Sequence, residues 1–236
     1  DVFFYDLAYK MGIDQIHDSL SLFQFGKKTG VDIPGELGGV LPSREWKKIN
    51  KDEPWYRGET LITGIGQGFM TASPMQLALA TGAIANKGQL YTPRVLMHTQ
   101  SKNGESYLES EAQSKQIPIK NISNWDLIEQ AMRQTVYGKL GTAKRLNNKL
   151  SYTLAGKTGT AQVFGLDPEE KYIADNIDEK LRDHALFTGY APIENPKVAI
   201  AIIVENAGSG SSKAAPLARA LLDEYFIKNP ADSETL

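Results

Sequence analysis

The sequence contains no cysteine and only three histidines. The absence of cysteine excludes a thiol nucleophile, a disulfide framework and a zinc site with cysteine ligands. His17, His98 and His184 lie far apart in the chain and form none of the closely spaced pairs typical of metal ligands. Residues distant in sequence can still meet in space, but the pattern gives no support to a metal site. We expect neither a metal nor a cofactor.

The sequence also lacks a hydrophobic run long enough to cross a membrane. Its longest fully apolar run extends from Val198 to Val204, whereas a transmembrane helix needs about 20 such residues. No signal-peptide pattern is visible. Because the chain begins with Asp1 rather than methionine, we expect it to be part of a longer protein, with any membrane anchor upstream of Asp1.

Neither sign of charge predominates. The chain has 26 basic and 28 acidic side chains, which gives a formal net charge of -2. This balance gives no support to a nucleic acid or another polyanion as partner. With 236 residues, of which 41% are hydrophobic and 23% charged, the composition is that of an ordinary globular domain of good size.

The most informative stretch runs from Gly156 to Thr160 and reads Gly-Lys-Thr-Gly-Thr. Alternation along a strand would place Lys157 and Gly159 on one face, with Thr158 and Thr160 on the other. Glycine has no side chain, so a ligand can lie close against the backbone there. A cation, hydroxyl donors and bare backbone N–H groups together suit an anion such as a peptide carboxylate, or a developing oxyanion.

A glycine-rich stretch lies earlier in the chain. Gly64, Gly66 and Gly68 suggest a phosphate-binding loop, but no Gly-Lys-Ser/Thr follows and the spacing is not G-x-G-x-x-G. Ser73 as an N-cap and Pro74 as the first helical residue indicate the start of a helix instead. We therefore reject phosphate binding at this stretch.

Hydrophobic periodicity and turn residues predict an α+β fold. The predicted helices are 2–24 (broken at Gly12, with a stop at Gly26), 75–86, 125–137 and 216–227; the predicted strands are 89–97, a segment around 154–163, 184–192 and a buried strand at 197–205. The predicted loops are 27–60, a surface excursion at 165–183, a flexible link at 208–212 and a loose tail at 229–236. Residues 98–120 are polar, and 102–105 carries a hairpin turn signal. The apolar faces of the last two helices are expected at Leu127, Ile128, Met132 and Val136, and at Leu217, Ala220, Leu221 and Phe226.

Several blocks together resemble one protein family. They are Asp-x-Phe-Phe-Tyr at 1–5, Pro-Trp-Tyr-Arg-Gly at 54–58, Gly-Ile-Gly-Gln-Gly at 64–68, Thr-x-x-Pro-x-Gln at 71–76, Gly-Lys-Thr-Gly-Thr-Ala-Gln-Val at 156–163 and Leu-Arg-Asp-His at 181–184. Nearly the whole chain is similar to the class B penicillin-binding proteins, most closely to the elongation-specific type called penicillin-binding protein 2. The resemblance implies the penicillin-recognising serine transpeptidase fold, an antiparallel sheet covered by helices. Residues 1–236 would be the C-terminal part of one such domain.

The resemblance implies a peptidoglycan D,D-transpeptidase of the serine type. In this family a serine attacks the D-Ala-D-Ala bond of a stem peptide, releases D-alanine and passes the acyl group to the amine of a second stem; β-lactams mimic the donor.

The resemblance also implies roles for individual residues. Lys157 would bind the donor carboxylate and tune the proton network, and Thr158 and Thr160 would donate hydroxyl hydrogen bonds to that carboxylate. The Thr160 backbone N–H would stabilise the oxyanion, and Gly159 would lie beside the substrate. Asp1 matches the third residue of the family's Ser-x-Asn or Ser-x-Asp motif and would orient the substrate amide and the active-site lysine.

One family motif is absent. No serine in the chain is followed three residues later by lysine, so the Ser-x-x-Lys nucleophile motif would lie upstream of Asp1. The resemblance further implies a location on the periplasmic side of the bacterial inner membrane, with an upstream anchor, a membrane glycan polymerase and elongation scaffold proteins as partners. We expect this chain alone to be unable to form the acyl-enzyme.

Two other functions stay open. A class A β-lactamase would need a deacylating glutamate between the second and third motifs, and none of the glutamates there lies in a recognisable context. A non-catalytic β-lactam sensor or scaffold domain would explain the missing Ser-x-x-Lys motif. The intact segment from Lys157 to Thr160 favours a truncated enzyme over both.

Overall fold

The computed structural model describes residues 2–104, 106–108, 113–163 and 177–233. Residues cluster into two compact units. The first comprises residues 1–83 and 89–118, and the second comprises residues 84–88 and 119–236. Within the described ranges, no helix is both long and apolar enough to span a lipid bilayer.

The first unit contains four helices and two small sheets among its described residues. The helices are α1 (Val2–Ser21), α2 (Arg44–Lys51), α3 (Arg57–Gly64) and α4 (Pro74–Ala85), and the strands are β1 (Gln89–Tyr91), β2 (His98–Gln100), β3 (Ser106–Leu108) and β4 (Ser114–Gln116). The break predicted in α1 is confirmed, because Gly12 has φ 76° and ψ 161°. The cap predicted for α4 is also confirmed: Gln76 N–H donates to Ser73 Oγ at 3.2 Å.

The glycine-rich stretch serves packing and turns. A side chain at Gly64 would approach Ala8 Cβ to 2.3 Å, so glycine is what lets α3 lie directly against α1. Gly66 and Gly68 both have φ of 75°, which favours glycine. This backbone geometry accounts for the glycines without a bound phosphate.

The prediction of a loop over 27–60 is wrong for two segments. Ser43 caps α2, since its Oγ accepts from Trp46 N–H at 3.0 Å, and Glu59 caps α3 by accepting from Tyr56 N–H at 2.8 Å. In the sequence, both helices are marked by a short polar capping pattern rather than by a long apolar stripe. Periodicity over long windows therefore missed both eight-residue helices.

The strand predicted at 89–97 is wrong beyond Tyr91. The Asp32 carboxylate accepts from the backbone N–H groups of Val95 and Leu96 at 2.6 and 2.8 Å, which occupies donors that a sheet would need. The same two hydrogen bonds lower the pKa of Asp32. The predicted hairpin is confirmed, because β2 and β3 pair with Gln100 opposite Ser106; Glu105 itself lies outside the described residues.

Lys47 is a buried cation, only 1% exposed. Its Nζ pairs with Glu59 and, at 3.2 Å, with Glu53, and lies 4.3 Å from the centre of the Tyr56 ring. Burial alone would lower the pKa of Lys47, but the hydrogen bonds to Glu59 and Glu53 outweigh burial and raise it. Tyr56 of the Pro-Trp-Tyr-Arg-Gly block thus packs beside a buried, paired cation.

Gln76 joins two connecting segments of the first unit, the α1–α2 connection and the residues just before α4. Its Nε2 lies 3.1, 2.8 and 2.7 Å from the carbonyl oxygens of Gln24, Lys27 and Gly38, and its Oε1 accepts from Ser73 N–H at 2.9 Å. The side chain is fully buried. Backbone groups removed from water need such partners, and the two Nε2 hydrogens are shared among three carbonyls of the α1–α2 connection.

The second unit is a three-stranded antiparallel sheet with helices. Its elements are α5 (Ser123–Tyr137), β5 (Ala155–Ala161), β6 (His184–Ala191), β7 (Val198–Val204) and α6 (Ala214–Lys228). The strand order is β5-β6-β7. The core unites Phe187 and Ala185 of β6 with Leu222 and Phe226 of α6 and with Leu154. The predicted order of three strands and a closing helix is confirmed.

The predicted apolar faces of α5 and α6 are wrong in part. Met132, Val136 and Phe226 are buried, whereas Leu127 is 61% and Leu217 49% exposed. Ile128, Ala220 and Leu221 are exposed as well. Trp125 and a row of small residues (Ala214, Ala215 and Ala218) are buried in their place.

Two further corrections concern the end of the chain. The strand predicted as buried at 197–205 is only half-buried, because β7 lies at an edge of the described sheet. The loose tail predicted at 229–236 is wrong for Pro230–Ser233, which form a 3-10 helix. Tyr225 OH donates to Asp232 Oδ2 there at 2.8 Å.

We predict that Gln76→Leu destabilises the chain. Leucine fills similar space but removes the Nε2 donor from the carbonyls of Lys27 and Gly38, which costs about 1–3 kcal/mol for each group left unsatisfied. We expect the free energy of unfolding, measured by chemical denaturation, to fall by about 3 kcal/mol. Gln130→Leu is the matched control: Gln130 is exposed on α5, and its change should stay within about 0.5 kcal/mol. Equal stability of the two variants would contradict the role of Gln76.

Candidate functional site

The candidate site lies on β5, which is an edge strand of the described sheet. Lys157 lies opposite Thr188 of β6, and Thr158 lies opposite Phe187. Since paired residues of an antiparallel sheet share a face, Thr158 is on the face of the buried Phe187 and Lys157 is on the other face. The predicted alternation along this segment is confirmed.

Lys157 is exposed at the edge of the sheet, and its Nζ donates to Thr158 O at 2.7 Å. None of the ion pairs found among the described residues includes it. Partial burial of its charged end lowers the pKa of Lys157, although the residue as a whole is exposed. The site thus presents a cation whose charge is incompletely compensated.

The Thr158 hydroxyl has a hydroxyl partner. Its Oγ1 lies 2.7 Å from Oγ1 of Thr142, which belongs to the Gly-Thr-Ala segment after α5. That distance is typical of a full O–H···O hydrogen bond. Nothing in the type or spacing of Thr142 in the sequence predicted this contact.

Glycines bring backbone segments into direct contact at β5. A side chain at Gly156 would lie 2.4 Å from Phe187 Cζ, and one at Gly159 would lie 3.2 Å from Leu186 Cβ. Gly210 is buried, and a side chain there would lie 2.3 Å from both Gly159 O and Leu186 O. The flexible link predicted at 208–212 is therefore wrong: this segment packs against the strands.

Polar contacts anchor the segment that leads into β5. Tyr137 OH accepts from Leu154 N–H at 3.1 Å, and Tyr152 OH donates to Asp223 Oδ1 at 2.8 Å. Burial, and then the hydrogen bond to Asp223, raise the pKa of Tyr152. Arg219 completes the arrangement by pairing with Asp223 at 2.6 Å and donating to the carbonyls of Leu146, Asn148 and Lys149.

His184 and Asp183 form a second set of polar contacts, at the end of β5. His184 is opposite Ala161, and its Nδ1 accepts from Asn206 N–H at 2.9 Å. Asp183 is buried, and burial raises the pKa of its carboxyl group, against a hydrogen bond from the Val163 backbone. These contacts connect the ends of β5, β6 and β7.

Comparison with known proteins identifies the family. The sequence model described as the penicillin-binding protein transpeptidase domain matches residues 1–223. The chain belongs to this transpeptidase family. It is 41% identical to the peptidoglycan D,D-transpeptidase MrdA of Haemophilus influenzae over 226 residues, which cover 96% of this chain and 35% of that protein. The chain thus spans about a third of the length of that curated relative.

Solved structures agree with the transpeptidase family. The penicillin-binding protein 2 of Pseudomonas aeruginosa, in complex with WCK 5153, has a TM-score of 0.80 and 41% identity, and the match covers 95% of this chain and 46% of that one. The complex of penicillin-binding protein 2 and MreC from Helicobacter pylori also has a TM-score of 0.80, at 32% identity, covering 96% of this chain and 38% of the other. The predicted fold and family are confirmed.

The structure describes some of the residues assigned from the transpeptidase family and not others. Lys157, Thr158, Gly159 and Thr160 lie together on β5, with Thr160 exposed. Asp1 lies outside the described residues, as does most of the excursion predicted at 165–183. Within the described part of the chain, no three His, Asp or Glu side chains gather as a metal site would require.

The geometry of this transpeptidase-family strand suits an anion. An exposed ammonium group, neighbouring hydroxyls and a strand edge without a paired strand among the described residues can together hold a carboxylate. Gly159 leaves the backbone bare, so a peptide could lie flat against it. These groups can bind a carboxylate and polarise a neighbouring carbonyl.

We predict that Gly210→Ala disturbs β5. The added methyl group would meet two backbone oxygens, which cannot rotate away as a side chain can. We expect a loss of about 2–3 kcal/mol in unfolding free energy, with shifted amide NMR signals at Gly159 and Leu186. Gly58→Ala, where no atom lies within 4 Å of the added group, should be neutral or slightly stabilising. An unperturbed β5 in Gly210→Ala would contradict the close contact.

We also predict that Lys157 titrates below the ordinary lysine value of 10.5. Because its pKa is lower when folded, the unfolded state binds the extra proton, and Lys157 should make stability rise with pH between the folded and unfolded pKa values. Anion binding through the ammonium group should fall as pH rises through the folded pKa. NMR titration of the Lys157 ε-carbon, with the denatured chain as reference, measures this. A folded midpoint at or above the denatured one would contradict the prediction.

Proposed function

We propose that the chain is the C-terminal part of the catalytic domain of a peptidoglycan D,D-transpeptidase that crosslinks stem peptides during cell-wall elongation. The proposal rests mainly on one observation: in a chain of this family, consecutive positions of the edge strand β5 carry Lys157 and Thr158. The chain covers only part of the related enzymes, so the activity is proposed for a longer protein that contains it.

In the proposed reaction, the terminal carboxylate of a D-Ala-D-Ala donor binds at β5. Lys157 supplies positive charge, and the hydroxyls of Thr158 and Thr160 donate hydrogen bonds to the carboxylate. The scissile carbonyl then lies along the strand, where the Thr160 N–H stabilises the oxyanion that forms when a serine attacks. The carbonyl–nitrogen bond breaks, D-alanine leaves with a proton, and the serine ester passes its acyl group to a second stem's amine.

The remaining parts of the machinery are proposed to lie outside this chain. The serine belongs to a Ser-x-x-Lys motif upstream, since the sequence has none. Asp1 is proposed to orient the substrate amide and that lysine. β-Lactams are proposed to acylate the same serine, because their carboxylate and carbonyl groups can occupy the positions of the carboxylate and scissile carbonyl of the donor peptide.

We propose a periplasmic location beside the inner membrane, with an upstream anchor. The proposed partners are a membrane glycan polymerase and elongation scaffold proteins. The MreC complex of the Helicobacter pylori relative supports a scaffold partner for this type of protein. No surface of the present chain is assigned to either contact.

Intact-mass spectrometry with a penicillin tests the function. We expect the longer protein to gain one adduct, while the 26.0 kDa chain gains none because it lacks the nucleophile. Lys157→Ala in the longer protein should slow acylation about 100-fold, since a charged group that binds the substrate carboxylate and tunes proton transfer is lost. Lys213→Ala, at an exposed lysine preceding α6, is the control and should leave the rate unchanged.

Three outcomes would contradict the proposal. An adduct on the 26.0 kDa chain itself would place the nucleophile within this sequence. Failure of the longer protein to react with the penicillin would contradict the proposed transpeptidase reaction as a whole. Rapid release of the adduct, with hydrolysed penicillin accumulating, would instead indicate a β-lactamase.

A further inference from the structure

The Gly-Thr-Ala segment is held firmly against the end of α5. Ala143 N–H donates to Thr135 O at 3.0 Å, and Gly141 N–H donates to Gly138 O at 2.9 Å. A side chain at Gly141 would lie 2.3 Å from Thr135 O, so only glycine allows this approach. Ala143 itself is buried. The exposed Thr142, between these two anchored residues, is therefore carried by a supported backbone.

The hydrogen bond between Thr142 and Thr158 uses only one of the two hydroxyl hydrogens that these residues carry. Each hydroxyl carries one hydrogen and can also accept. At 2.7 Å one of them donates to the other, which leaves the second hydrogen for another acceptor. If Thr142 donates, the free hydrogen is that of Thr158.

An anion at β5 would select one of these two arrangements. The acceptor beside Lys157 draws the Thr158 hydrogen toward itself, and Thr142 then donates to the oxygen of Thr158. A chain of two hydrogen bonds results, in which each bond polarises the next. Without Thr142, the Thr158 side chain would keep its hydrogen but lose the contact that selects its rotamer.

We propose that Thr142 is a positioning residue that holds the Thr158 hydroxyl in the orientation needed to donate to the substrate carboxylate. The proposal rests on the proposed transpeptidase function and adds a residue to its substrate-binding site. Thr142 acts through Thr158 rather than on the reacting atoms. Its effect should therefore vanish when the Thr158 hydroxyl is absent.

The test is a double-mutant cycle in the longer protein, with acylation by a fluorescent penicillin as readout. We expect Thr142→Val to lower the second-order acylation rate about tenfold, mainly through weaker initial binding, because one hydrogen bond is lost. Thr142→Ser keeps the hydroxyl and should stay within about threefold of the parent. Thr142→Val should have little further effect when combined with Thr158→Val.

Thr135→Val is the matched control. Its hydroxyl lies on the adjacent turn of α5, where it donates to Ala131 O at 3.4 Å. It should leave acylation unchanged. Equal losses in Thr135→Val and Thr142→Val would indicate a general disturbance of this segment, and additive losses in the double mutant would show that Thr142 acts independently of Thr158. Either result would overturn the proposal.

Threonine-methyl NMR separates this proposal from the proposed function. The Thr158 methyl signal reports the rotamer of that side chain whether or not the protein reacts with penicillin. We expect the signal to shift or broaden in Thr142→Val and to be restored in Thr142→Ser. An unchanged Thr158 signal in Thr142→Val would overturn the positioning role even if acylation proceeds normally. A protein that does not react, but shows the expected shift, would refute the function and support the contact.

Discussion

The candidate site depends on a close approach between the backbone of the segment before α6 and the backbone of β5 and β6, with no side chain between them. Gly210 lies against the carbonyl oxygens of Gly159 and Leu186 at distances that a methyl group would not permit. The segment before α6 can therefore pack on the same strands that carry the exposed Lys157. A site for a peptide needs a flat, bare length of strand, and here glycine supplies it on both sides of the contact.

Elsewhere, single polar side chains hold long irregular segments in place. The Glu36 carboxylate accepts from the N–H and hydroxyl of Thr29 and from the N–H of Gly30, much as Gln76 gathers three carbonyls. Burial would raise the pKa of Glu36, but these hydrogen bonds outweigh it and lower the pKa. Such contacts define loops where an apolar core is sparse, since each satisfies several backbone groups at once.

The sequence predicted this fold best where a local signal was strong. The break at Gly12, the cap at Ser73 and the order of strands before α6 all depend on short patterns or on family blocks, and all are confirmed. The failures have a different origin. Leu127 and Leu217 are as apolar as any buried leucine, and only the packing of Trp125 and the small residues of α6 decides which side of each helix is covered. The Thr142 contact likewise joins residues sixteen positions apart through a turn that no periodicity describes.

Lys47 and Lys157 show how far the surroundings can separate two side chains of one type. The first is enclosed and kept protonated by glutamates, whereas the second is exposed and gives up its proton more readily than usual. Only a neutral amine attacks an electrophile, and it must also be reachable. Lysine-directed acylating reagents therefore face opposite conditions at the two positions: the scaffold amine is shielded, and the amine at the site is the more open to modification. Covalent labelling of this chain would reach the candidate site while leaving this support of its fold intact.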